Sequence, residues 1–194
     1  MGIKRYKQQN NRLMKKTIGL LSFLLIFSTG LIAQEETQQH EANKNHSISF
    51  LVSHAYISQG KIDGERKFLA APAIGINYNY KISEKWSIGL HNDIIIESFL
   101  IENSLESEET LEREYPISNL LVGTYKITEA WGLALGAGIE WEKNENFGVI
   151  RVGTEYGLEI NESGLEVVFS INYDALIDAY DSLNFGIGIN KFFN

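Results

Sequence analysis

The sequence predicts an all-β fold, an eight-stranded antiparallel up-and-down transmembrane β-barrel, on three observations. Apolar and polar residues alternate with period two along most of residues 46–194, which is the pattern of strands with two different faces. The expected strands are mostly about ten to fourteen residues long, enough for a tilted strand to cross a bilayer. Short turns alternate with longer connections, as in an up-and-down meander that closes on itself.

Composition narrows the class of protein. The chain has 194 residues, which fits one domain. Its mean hydropathy of −0.14 argues against a bundle of membrane-spanning helices, each of which needs about 20 apolar residues. The absence of Cys excludes disulfides, thiolate metal sites and a cysteine nucleophile.

The first 33 residues are typical of a cleaved signal peptide. A basic start precedes an apolar run over residues 17–33, which ends on a small residue, Ala33. We therefore divide the chain into a signal peptide (1–33), a disordered polar lead-in (34–45) and a barrel domain (46–194). The signal peptide contains none of the 25 acidic residues, so the exported part is more acidic than the whole chain with its charge of −8. This acidity and the export argue against nucleic acid as a partner.

Eight strands follow from the alternation. We expect them near residues 46–58, 70–82, 86–99, 115–127, 131–142, 147–160, 165–175 and 183–193. The longer connections are then 59–69, 100–114, 143–146 and 176–182. The short turns and both ends of the barrel domain lie at the opposite end.

Side-chain size indicates which face of the strands points inward. Trp131, Leu133 and Leu135 share one face of their strand, whereas the other face carries mainly Gly, Ala and Glu. An eight-stranded barrel is only just wide enough to be filled by side chains, so the small residues suit its interior and the apolar face suits lipid. Aromatic residues near the strand ends are typical of two interfacial girdles: Tyr80, Trp86, Tyr125, Trp131, Trp141 and Tyr173.

The last strand, residues 184–194, alternates to its end and carries Phe193 next to the final Asn194. With the signal peptide and the meander, the chain resembles the small outer-membrane β-barrel family of Gram-negative bacteria, the OmpX-like and OmpA-type transmembrane domains. The resemblance covers roughly residues 46–194. It implies a protein in the outer membrane, in contact with membrane lipid and lipopolysaccharide.

Charged side chains on the inward face form a predicted lumen cluster. Because buried charges must be paired or hydrated, we expect the basic members to pair with carboxylates and fill the barrel. A narrow cation-preferring path or a proton-linked site is the functional alternative. His91 and Asp93, two residues apart, are the candidates for a general base. The cluster comprises Lys81, His91, Asp93, Glu97, Glu140, Arg151, Glu155 and Glu159, with Lys126, Glu142, Glu166 and Asp174 on the same face.

The connection from Glu102 to Glu114 is strongly acidic. We expect a solvated surface loop; the alternatives are a site for divalent cations that bridge lipopolysaccharide, or a docking site for a basic partner. Asp178, Tyr180 and Asp181 of the last connection are expected to extend this negative patch. The acidic residues are Glu102, Glu106, Glu108, Glu109, Glu112 and Glu114, against a lone Arg113.

The expected function is non-enzymatic, because no motif for catalysis, a cofactor or a resident metal is present. The chain is interpreted as a monomeric outer-membrane protein with a structural or surface-interaction role. One alternative is a narrow, weakly cation-selective channel, and another is a soluble periplasmic lipocalin-like lipid carrier with its apolar face inside. A lipid-modifying enzyme that uses His91 is the third.

Overall fold

A computed structural model describes residues 44–62, 65–102, 110–161 and 163–194. The predicted signal peptide and most of the polar lead-in lie outside these residues. The described part forms ten strands: β1 (His46–Ile62), β2 (Glu65–Lys81), β3 (Trp86–Ile95), β4 (Ser98–Glu102), β5 (Thr110–Glu114), β6 (Ile117–Lys126), β7 (Trp131–Trp141), β8 (Phe147–Asn161), β9 (Leu165–Leu176) and β10 (Asp181–Phe193). Within it, no helix is long and apolar enough to span a membrane.

Eight of the strands close into an antiparallel barrel, in the order β1-β2-β3-β6-β7-β8-β9-β10 and back to β1. The seam between β10 and β1 runs from the pair His46 and Phe193 to the pair Ile57 and Ser182. This confirms the predicted eight-stranded up-and-down barrel. We call the end with residues 82–85, 127–130 and 163–164 the turn end, and the end with residues 96–102, 110–116, 142–146 and 177–180 the loop end.

Two turns at the turn end have the same construction. The backbone N–H of Ile82 donates to the carbonyl of Trp86, and Ile127 donates in the same way to Trp131, both at 2.8 Å. The N–H of Trp86 donates to the Ser83 hydroxyl at 3.1 Å, an interaction that Thr128 repeats for Trp131. The repeated sequence pattern therefore produces a repeated hydrogen-bonded turn.

The apolar face points outward, as the sequence predicts. Along β7, inward and outward side chains alternate strictly between buried and exposed over its first seven residues. Leu121 and Leu135 are 60% and 64% exposed near the middle of the wall. The Trp86 and Tyr125 rings contact each other at a tilt of 54° with centroids 4.9 Å apart, and Trp131 meets Tyr156 edge-on, both near the turn end. Because a lipocalin-like carrier needs its apolar face inside, that alternative is wrong.

Two of the predicted connections are largely strand. β1 extends to Ile62 and β2 begins at Glu65, so every described residue of the predicted connection 59–69 belongs to a strand. The predicted loop 100–114 contains most of a hairpin formed by β4 and β5, which joins the wall where Ile101 pairs with Gly60 of β1. A register shift between Ile57 and Gly60 breaks the alternation in β1, and the two hairpin strands are only five residues each, too short for a clear period.

Candidate functional site

A cluster around Arg151 ties three strands together across the lumen. Arg151 of β8 donates to its β9 neighbour Asp174 from Nε at 2.6 Å and from Nη2 at 2.7 Å. Its Nη1 reaches Asp93 of β3, which is not adjacent to β8 in the wall, at 2.8 Å. We call Arg151, Asp93 and Asp174 the middle cluster; it links β8 to β9 and, across the lumen, to β3.

A second cluster lies nearer the loop end. The guanidinium of Arg113, from β5, donates through Nη2 to Glu140 at 2.6 Å. Its Nη1 lies 2.5 Å from the carbonyl oxygen of Glu145 and 3.4 Å from a carboxylate oxygen of Glu142. The Phe147 ring covers the guanidinium at 4.7 Å from its centroid. We call Arg113, Glu140, Glu142, Phe147 and Tyr180 the loop-end cluster.

Tyr180 completes this cluster from the connection between β9 and β10. Its hydroxyl lies 2.8 Å from both carboxylate oxygens of Glu140. Burial and the negative charge of Glu140 raise the pKa of Tyr180 well above its usual value near 10. The phenol therefore stays protonated and serves Glu140 as a hydrogen-bond donor.

Apolar side chains close the barrel around the loop-end cluster. Phe99 and Ile101 of β4 are buried, and Phe99 meets the Tyr180 ring edge-on at a centroid distance of 5.7 Å. The hairpin thus lies over the loop end as a cap. Phe99 and Ile101 belong to a buried apolar cluster that also includes Ile57, Ile95, Val149 and Leu176.

Polar space remains elsewhere in the barrel. A cavity of about 90 Å³ at the turn end is lined by Asn79, Lys81, Lys126, Glu155 and Glu166, among others. A smaller one, of about 30 Å³, lies beside the middle cluster. By volume these would hold several waters and about two waters, respectively. The turn-end cavity and the capped loop end give the barrel two unlike ends.

His91 is buried, but its hydrogen-bond partner differs from the expected one. Its Nε2 lies 3.0 Å from Oδ1 of Asn79, whereas Asp93 is paired with Arg151. A carboxylate that neutralises a guanidinium is a poor orienting partner for a general base. The predicted pair of His91 and Asp93 therefore does not form, and the geometry provides no support for a catalytic histidine.

The predicted lumen cluster is divided among several places. His91, Asp93, Glu140 and Arg151 lie inside the barrel, while Lys81 and Glu155 line the turn-end cavity. Glu97 and Glu159 are exposed, so neither belongs to the buried part of the lumen cluster, although Glu159 pairs with Glu166, which lines the turn-end cavity. Glu97 belongs to the bend between β3 and β4, and Glu159 lies beside an irregularity in the β8–β9 register.

The predicted acidic loop is only partly a loop. Glu112 and Glu114 are exposed residues of β5, and Glu102 ends β4; Glu106, Glu108 and Glu109 lie outside the described residues. Arg113 and Tyr180, both expected at the surface, are fully buried. The sequence offers one weak signal for Arg113, its place two residues after Leu111 on one face of a short strand. In the part of the chain that the structure describes, no group of three or more His, Asp or Glu residues could hold a metal ion.

An apolar exterior, a polar and charged interior and a closed antiparallel wall define the chain as a transmembrane β-barrel of the small eight-stranded type. No protein-family model matches the sequence, and no curated protein matches it.

Among solved structures, the fold is similar to the outer membrane protein OprG from Pseudomonas aeruginosa, at a TM-score of 0.47 and 13% identity over 82% of this chain and 100% of that chain. It is also similar to Neisserial surface protein A, at 0.45 and 11% identity over 76% and 97%. Ail, the attachment invasion locus protein of Yersinia pestis, is similar at 0.42 and 15% identity over 75% and 98%. At these identities the likeness concerns the fold alone.

Proposed function

We propose that the chain is a non-enzymatic protein of a Gram-negative outer membrane, exported by its signal peptide, whose barrel anchors a folded, non-conducting surface structure. The observation that carries the proposal is the closure of the loop end by the β4–β5 hairpin. A barrel whose mouth is filled by Phe99, Ile101 and Tyr180 offers no open mouth for solutes. The loop end, with its exposed acidic strand β5, then serves contacts outside the membrane.

Two successive obstacles along the barrel axis argue against conduction. The cap closes the loop end, and the middle cluster below it spans the lumen from β8 to β3. An ion moving along the axis would have to displace both. Separating Arg151 from two carboxylates is costly because each partner would be left as an uncompensated charge.

The location and the fold are tested together by gel mobility. Protein from outer-membrane fractions should migrate differently before and after boiling, because a closed barrel stays folded in detergent until it is heated. Recovery in the soluble fraction without such a shift would contradict the proposal.

Conduction is tested in planar bilayers. We expect no resolved conductance steps from the wild-type chain. A variant in which a short linker replaces residues 98–114 and Arg151 becomes Ser should conduct, because both obstacles are removed. Steps of similar size from the wild type would overturn the non-conducting part of the proposal and leave the location intact.

A narrow cation-selective channel is the second candidate. It is favoured by the excess of interior acids, since Asp93, Asp174, Glu140 and Glu142 face only Arg113 and Arg151 in the two clusters. A wild-type current whose reversal potential in a KCl gradient indicates potassium selectivity would support this candidate.

A further inference from the structure

The groups around Arg113 have the composition of a guanidinium receptor. Glu140 and Glu142 supply negative charge, the Glu145 carbonyl accepts a further hydrogen bond, and Phe147 offers a ring face. Planar, delocalised and weakly hydrated guanidinium groups suit such mixtures of carboxylate and aromatic surface better than ammonium groups do. Arg113, which fills the site, comes from the hairpin, whereas the groups that bind its guanidinium belong to β7, β8 and the connection between them.

Arg113 does not satisfy this receptor fully. The second carboxylate oxygen of Glu142, Oε1, is buried without a hydrogen-bond partner among the described residues, and the same holds for Nε of Arg113. The Glu142 side chain has no solvent exposure. A buried acceptor and a buried donor thus remain unpaired within one site, a costly arrangement. A guanidinium that arrives without the constraints of the hairpin backbone can be oriented to pair with both oxygens.

The attachment of the hairpin allows it to lift. Among the described residues, its backbone pairs with the barrel wall at one position, Gly60 with Ile101, and the Asn144 side chain donates one further hydrogen bond to the carbonyl of Glu112 at 3.1 Å. On one side it is followed by Tyr115, whose φ of 48° is a left-handed conformation that a residue with a side chain adopts only under constraint. On the other side it follows the exposed residues Ile96 and Glu97. Because lifting exposes Phe99 and Ile101, the closed form is the resting state.

We propose that Glu140, Glu142, Phe147 and the Glu145 carbonyl form a binding site for the arginine side chain of a basic partner protein. Arg113 fills this site in the closed form, and the partner's guanidinium replaces it when the hairpin lifts. The contact of Arg113 is therefore autoinhibitory. The inference rests on the proposed function in one respect, that the loop end is exposed outside the membrane.

The first experiment empties the site with Arg113→Ala in the full chain, folded in detergent micelles. A fluorescein-labelled Gly-Gly-Arg-Gly-Gly peptide is titrated and its anisotropy measured, with lysine and citrulline peptides as controls for charge and for shape. We expect the arginine peptide to bind at least tenfold more tightly than either control. Agmatine, a free guanidinium compound, should compete with the arginine peptide. If agmatine binds and the peptide does not, the site takes small molecules and the assignment to a partner protein is overturned.

A matched variant tests the site itself. Arg113→Ala with Glu140→Gln keeps the emptied volume and removes one receptor carboxylate, so the preference for arginine should disappear. Equal binding by the two variants, with the boiling-dependent gel shift retained in both, would overturn the proposal.

The second experiment needs no change at Arg113 and remains decisive if Arg113→Ala does not fold. Because the chain has no Cys, Gly60→Cys and Ile101→Cys create one pair across the hairpin contact. The reduced protein should bind the arginine peptide and the oxidised protein should lose at least nine-tenths of that binding. Undiminished binding after oxidation would show that lifting plays no part, and the absence of binding by the reduced protein would overturn the proposed site. Peptide binding in micelles tests the arginine site, and conductance in bilayers tests the proposed non-conducting function. The failure of one is therefore distinguishable from the failure of the other.

Discussion

Replacing Arg151 by Met tests whether the middle cluster holds the barrel together. Arg151 is 2% exposed, and Met fills a similar volume without charge. Its loss leaves Asp174, whose side chain is 7% exposed, without its bidentate partner. Asp93 is different, because a side chain that is 25% exposed can be rehydrated. Asp174 keeps a hydrogen bond from Asn184 Nδ2 at 3.1 Å but loses the charge that neutralises it, which corresponds to a loss of about 3–5 kcal/mol in the free energy of unfolding.

The assay is urea unfolding from lipid vesicles, followed by Trp fluorescence and gel mobility. Arg151→Met with Asp174→Asn should recover most of the loss, since the stranded charge is then gone. Lys143→Met, on the exposed loop, should stay within about 0.5 kcal/mol of the wild type. If Arg151→Met costs less than about 1 kcal/mol, the cluster is hydrated and the reasoning about buried pairing fails.

Three further changes examine other parts of the barrel. Leu135→Arg places a charge on the exposed apolar wall and should cost about 2–4 kcal/mol in vesicles; folding as efficient as that of the wild type would contradict a lipid-facing position. Gly188→Ala should lower the unfolding midpoint, because a Cβ there would overlap the carbonyl oxygen of Phe50 and lie 2.8 Å from the Cα of Leu51; an unchanged midpoint would show that the wall adjusts freely. Tyr180→Phe should cost about 1.5–3 kcal/mol at pH 8 through the lost bond to a carboxylate, measured by the same unfolding. Since the pKa of Tyr180 is raised in the folded state, its stabilisation is present below pH 10 and decreases above it, so the deficit of the Phe variant should narrow as the pH rises; a constant deficit would contradict this assignment.

The barrel wall could be predicted from the sequence because period-two alternation records two unlike surroundings. Outward residues such as Leu135 and inward residues such as Ala134 are distinguished by polarity or size along nearly every wall strand. The repeated turns at Trp86 and Trp131 then fixed which ends of the strands are joined closely. Local patterns were sufficient for this part of the fold.

The cap formed by the β4–β5 hairpin could not be predicted from local sequence patterns, because its structure depends on contacts between residues that are distant in the sequence. Arg113 lies in a segment so acidic that a solvated loop was the natural expectation, yet it reaches Glu140 on another strand. Tyr180 has an ordinary loop sequence around it, yet it is buried and its ring meets Phe99 edge-on. The pairing of Asp93 with Arg151 likewise crosses the barrel between strands that are not neighbours, so spacing along the chain suggested His91 instead.

The seam between β1 and β10 has a consequence for how the molecule assembles. Every other junction in the wall joins strands that are near each other in the sequence, but the seam joins the first strand to the last and brings His46 to Phe193. The entropic cost of loop closure is therefore larger here than at any other junction of the wall. The contacts of the seam stabilise the barrel only after all the other junctions have formed. Until it closes, both outer strands present unpaired backbone groups, which a hydrocarbon environment tolerates poorly. We therefore expect insertion and seam closure to be one concerted, slow step, and removal of β10 to leave an open sheet that cannot remain in a bilayer.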